Sequence, residues 1–111
     1  MGDGQHIWAA AEWLLLIRNL YVREEGESLV LGSGLAREWY SGGNTTALTR
    51  TLTPHGPIGV SFTGGSHGIE VHVDAAWRGR APALEFRVPG VQPLSVPAGD
   101  PRTNFKLPHS A

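Results

Sequence analysis

The chain has 111 residues, 41% hydrophobic and 17% charged, which is enough for one compact core and too little for a two-domain enzyme. Nine Lys and Arg against ten Asp and Glu give a formal net charge of -1, which excludes the broad cationic field of a non-specific nucleic-acid binder. Cysteine is absent, so disulfide frameworks, thiolate metal sites and Cys nucleophiles are excluded as well.

The first predicted element is a helix from about Asp3 to Glu25, with no Gly or Pro between Gln5 and Glu25. Asp3 is placed to cap its start and Gly26 to cap its end, with Arg18 and Arg23 near the C-terminal pole of the dipole. Its apolar residues, among them Ile7, Trp8, Trp13, Leu14, Leu15, Leu16, Ile17, Leu20 and Tyr21, run nearly all the way round. Such a helix is normally buried on more than one side. A sheet can cover one face; a second copy of the chain or a neighbouring domain has to cover the rest. The stretch Ile7 to Ile17 is broken by Glu12 and falls short of the roughly 20 apolar residues needed to cross a bilayer, so no membrane partner is expected. No basic leader precedes it, and the cytoplasm is the compartment slightly favoured.

After Gly26 the pattern changes to short β-type runs divided by Gly, Pro, Asn and Ser. Strands are predicted near Ser28–Leu31, Leu35–Trp39, Ala47–Leu52, Ile58–Thr63, Gly68–Val73, Ala83–Val88, Leu94–Val96 and Asn104–Leu107. Alternation is clearest where Ile69, Val71 and Val73 interleave with Glu70, His72 and Asp74. The expected fold is therefore mainly β: an antiparallel β-sandwich over residues 26–111, with an N-terminal helix over residues 1–25 packed against it.

Few residues group into a chemistry. Gly32-Ser33-Gly34 lacks the third glycine and the Lys-Ser/Thr pair of a phosphate loop, and reads as a turn. His6, His55, His67 and His72, with Glu70 and Asp74, are the metal-ligand candidates. His72 and Asp74 share a strand face, but His67 and His72, five apart, point to opposite faces, so these histidines read as solvated and no metal or other cofactor is expected. Ser61, Ser66 and His67 lack the spacing of a nucleophile and its base. Asn44-Thr45-Thr46 matches a glycosylation sequon but reads as a turn. Carbohydrate binding has better material: Trp39 and Tyr40 beside Gly42-Gly43-Asn44, and Trp77 beside Arg78, offer aromatic faces next to polar groups. The competing reading puts Trp39 and Trp77 at the two ends of the core.

The run His6-Ile7-Trp8-Ala9-Ala10-Ala11-Glu12-Trp13-Leu14-Leu15-Leu16-Ile17-Arg18-Asn19-Leu20, followed by Val22-Arg23-Glu24-Glu25 and Leu29-Val30-Leu31-Gly32-Ser33-Gly34, resembles the end of an (α/α)6-barrel, six-hairpin glycosidase. The similarity continues through Arg37-Glu38-Trp39, Thr53-Pro54-His55-Gly56-Pro57-Ile58-Gly59-Val60-Ser61-Phe62 and Ala76-Trp77-Arg78-Gly79. It covers about Gly2 to Gly90, and the tail from Val91 to Ala111 matches nothing in the pattern. The resemblance implies a last barrel helix leading into a C-terminal β-sandwich, with the catalytic acid and base elsewhere in a parent protein. It implies a non-catalytic accessory domain whose partner is the catalytic barrel, with Trp8, Trp13, Leu16 and Leu20 as docking residues. In isolation such a chain is expected to form a homodimer. The alternative expectation is a free-standing carbohydrate-binding module.

Overall fold

In the computed structural model, the backbone is described for residues 3–110 and the side chains for residues 12–110. One helix, α1 (Asp3–Tyr21), leads into eight strands: β1 (Val22–Glu25), β2 (Ser28–Leu31), β3 (Thr45–Thr53), β4 (Gly56–Gly64), β5 (Gly68–Ala75), β6 (Leu84–Phe86), β7 (Leu94–Val96) and β8 (Asn104–Pro108). They form two four-stranded sheets, ordered β1-β2-β6-β7 and β3-β4-β5-β8. The fold is mainly β and compatible with the expected sandwich.

Between the sheets lies a core of Val22, Leu29, Leu31, Leu84, Phe86 and Val96 from the first and Ile58, Val60, Phe62, Ile69, Val71, Val73, Phe105 and Leu107 from the second. The alternation read in β5 is realised: Ile69, Val71 and Val73 are buried, whereas Glu70, His72 and Asp74 are exposed. Phe86 and Phe105 meet across the layers with ring centroids 4.8 Å apart and planes tilted by 44°. That offset geometry adds about 0.5–1.5 kcal/mol to the burial of the two rings.

Three details depart from expectation. The helix ends at Tyr21 rather than Glu25, and Val22–Glu25 pairs with Ser28–Leu31 as a hairpin. Val22 is β-branched and fully buried opposite Leu31, so core burial outweighs one more helical turn. Gly26, with φ 62°, is then the first central residue of a two-residue hairpin loop and not a helix cap. The predicted strand Leu35–Trp39 is instead a turn and a short 3-10 helix, Arg37–Trp39. Arg37 and Glu38 offer no alternation, and the Trp39 N–H donates to Ala36 O at 3.0 Å. Finally, β2 and β6 run parallel, because the chain builds the three strands β3 to β5 of the other sheet before returning.

The joint between helix and sandwich is tight. Gly34 N–H donates to Leu20 O at 3.1 Å and Gly32 N–H to Tyr21 O at 2.8 Å, satisfying carbonyls at the helix end. A Cβ on Gly34 would lie 2.8 Å from Leu20 Cα and 2.5 Å from its Cδ2. Gly34→Val is therefore expected to destabilise the chain by about 1–3 kcal/mol, the usual range for overpacking. Urea unfolding of the two proteins checks it, and an unchanged midpoint would contradict this account of the joint.

Candidate functional site

The last turn of α1 grips the edge strand β3 at two points. The Arg18 guanidinium donates to Leu52 O at 2.8 Å and to Thr51 Oγ1 at 3.4 Å, while forming a two-pronged pair with Glu24. One turn later, the Tyr21 hydroxyl and Thr46 Oγ1 lie 2.6 Å apart. These contacts cover part of an edge that would otherwise present unpaired backbone groups. Arg18 holds the Glu24 carboxyl below its ordinary value of 4.5, the hydrogen bond outweighing the desolvation that acts against it.

Upstream of this grip the described side chains of residues 12–16 are exposed. Trp13, Leu14, Leu15 and Leu16 are 62%, 67%, 55% and 60% exposed. Successive helical residues are about 100° apart, so these four cover the whole circumference. The other large apolar side chains exposed among the described residues, Trp39 and Leu52, sit at the foot of the same helix. Trp39 stacks on Tyr21 at 6.3 Å, with ring planes 17° apart, and Leu52 presents its carbonyl to Arg18. The exposed apolar surface is thus one feature: α1 and its base.

The expected docking residues divide accordingly. Trp13 and Leu16 are open to solvent; the side chain of Trp8 lies outside the described residues. Leu20 is half-buried against Gly34 of its own chain, so it is part of the joint. Leu14 and Leu15 complete the bare face, and all-round apolarity was the sequence signal for them.

The three aromatics expected to bind sugar are not brought together. Tyr40 is 3% exposed, its hydroxyl donating to Pro89 O at 3.1 Å, so its ring belongs to the core. Its carbonyl binds Gly64 N–H, at the end of β4. Trp77 follows β5 at the opposite end of these strands and packs half-buried against the core.

Of the metal candidates, His6 lies outside the described side chains, and no group of three potential ligands forms among the described residues. His72 Nδ1 lies 2.9 Å from Asn104 Oδ1 on β8, and Ser61 on β4 stands opposite His72 in register. This row of Ser, His and Asn across three strands could not be read from local spacing. Ser61 sits mid-strand, its flanking N–H groups committed to the ladders, so no pair of donors is left to receive an oxyanion. Gly32-Ser33-Gly34 is the turn that receives the helix end.

The arrangement defines a class, a two-sheet β domain with a projecting apolar helix. Comparison with family models, curated proteins and solved structures finds no match to this chain. Among the described residues, no helix is long and apolar enough to cross a membrane.

Because the Glu24 carboxyl is held below its ordinary value, its contribution to stability is complete above the unfolded-state value. It is lost as pH falls through the lowered folded value. The expected outcome is a melting temperature that drops between about pH 5 and pH 3, with the drop smaller in Glu24→Gln. Thermal unfolding of both proteins across that range checks it.

Proposed function

We propose that this chain is a non-catalytic accessory domain of a glycosidase-like protein, docking through α1 against the helical catalytic barrel of its parent. The observation that carries this reading is the concentration of exposed apolar side chains on α1 and at its foot. Trp13, Leu14, Leu15 and Leu16 point in all directions, so a flat partner would leave some of them wet. Helices on several sides would cover them all, as the neighbours of a terminal barrel helix do. Burying a leucine side chain stabilises by roughly 1.5–3 kcal/mol, so the three leucines, with the Trp13 ring beside them, supply a substantial docking energy. The resemblance to the last helix and C-terminal sandwich of six-hairpin glycosidases supports the same reading.

The Arg18–Glu24 pair and the Gly32–Gly34 turn suit this role. They set the direction in which the helix leaves the sandwich, so the two domains meet in one orientation. The alternative, a free-standing carbohydrate-binding module using Trp39, Tyr40 and Trp77, is weakened by the burial of Tyr40 and by the division of the others between opposite ends of the strands.

Without a barrel to cover it, the helix is expected to drive self-association into a dimer or larger species. Sedimentation velocity over a wide concentration range tests this. Leu15→Lys combined with Leu16→Lys is expected to give a monomer whose sandwich keeps its far-ultraviolet signature. A wild-type chain that stays monomeric at high concentration would sink the proposal.

A further inference from the structure

The end of the sandwich farthest from Tyr40 opens into a cavity of about 410 Å³, within the usual range for small-molecule sites. Its floor is apolar, from Val73, Ala75, Leu84 and Val96, and its walls include Trp77, Arg80 and Arg102. A larger hollow, about 510 Å³, lies beside the β4–β5 hairpin tip, but its walls hold no Trp, Tyr or Phe. The two therefore differ in chemistry more than in size.

Trp77 is held from both sides. Ala76 N–H donates to Pro57 O at 3.0 Å and Arg78 N–H to His55 O at 2.8 Å, pinning the indole-bearing residue to the β3–β4 turn. Its half-buried ring packs against the core and lines the cavity.

The two arginines differ. Arg102 is neutralised by Asp100 through hydrogen bonds of 3.0–3.2 Å and lies over the Phe105 ring, 5.2 Å from its centroid. Arg80 has no carboxylate within ion-pair distance among the described residues. It is laid across Gly99, where a Cβ would come 2.9 Å from its Nε, and one Nη donates to Ala98 O at 3.2 Å. Arg80 is exposed, and its remaining donors have no partner among the described residues; it lines the cavity together with Trp77 and the apolar floor.

We propose that this cavity binds a carboxylate-bearing six-membered ring, the ring packed on Trp77 and the carboxylate paired with Arg80. A planar guanidinium meets a carboxylate through two parallel hydrogen bonds, and an aromatic face accepts either a sugar ring or a benzene ring. The ligand class is thus an acidic sugar or an aromatic acid. The site is independent of how α1 is covered, so either proposal can fail without the other.

The test is an NMR titration of the intact chain, following the Trp77 indole N–H signal, assigned by its loss in Trp77→Phe. The probes are galacturonate and digalacturonate, benzoate, neutral galactose and acetate. Saturable shifts with the uronates or benzoate, and none with galactose or acetate, are expected; which acid saturates first identifies the source. Arg80→Gln is expected to weaken that binding by about tenfold or more, as loss of a charge-assisted pair does, with the sheet signals unmoved. Silence toward both acids, an equal response to galactose, or unchanged affinity in Arg80→Gln would overturn the assignment.

Discussion

Two backbone hydrogen bonds, Gly34 N–H to Leu20 O and Gly32 N–H to Tyr21 O, turn the end of a helix into the beginning of a sheet. Carbonyls at a helix terminus need partners, and here the turn after the first hairpin supplies them. This joint places Val22 at full burial opposite Leu31, and aims Arg18 and Tyr21 at the edge strand β3. The direction of α1 away from the sandwich follows from it. Among the described side chains of α1, Arg18, Leu20 and Tyr21 in the last turn meet the sandwich, whereas Trp13 to Leu16 are exposed.

The molecule therefore has two unlike halves. The sandwich satisfies itself: its core is closed by rings from both sheets, and no side-chain nitrogen or oxygen buried among the described residues lacks a hydrogen-bond partner. The helix does the opposite, keeping Trp13, Leu14, Leu15 and Leu16 in water. The accessory-domain role proposed above would reconcile the halves, with the sandwich as the base from which the helix is presented.

Much of the β architecture was legible in the residues. Ser28–Leu31 and Leu94–Val96 form strands with the predicted limits, and β5 alternates as its sequence does. Ser28–Leu31 is a short apolar run buried on both faces, and β5 alternates with one face buried and the other in water; both are patterns of strands. Leu35–Trp39 was misleading, since two apolar ends around Arg37-Glu38 imitate a strand while the turn at Gly32–Gly34 directs the chain into a 3-10 helix. Trp39 and Tyr40 show the same limit: neighbours in the chain, one stacks in partial exposure on Tyr21 and the other fills the core.

Sequence alone determined that this chain is mainly β with one helix apolar around its circumference, because periodicity and punctuation are local properties that the backbone must obey. Tertiary structure alone decided that α1 stops at Tyr21, that β2 and β6 lie parallel, that Tyr40 is buried, and that Trp77, Arg80 and Arg102 share a cavity wall. Each of those outcomes is set by contacts between residues far apart in the chain. Local pattern carries no record of which distant surface will be there to receive a side chain.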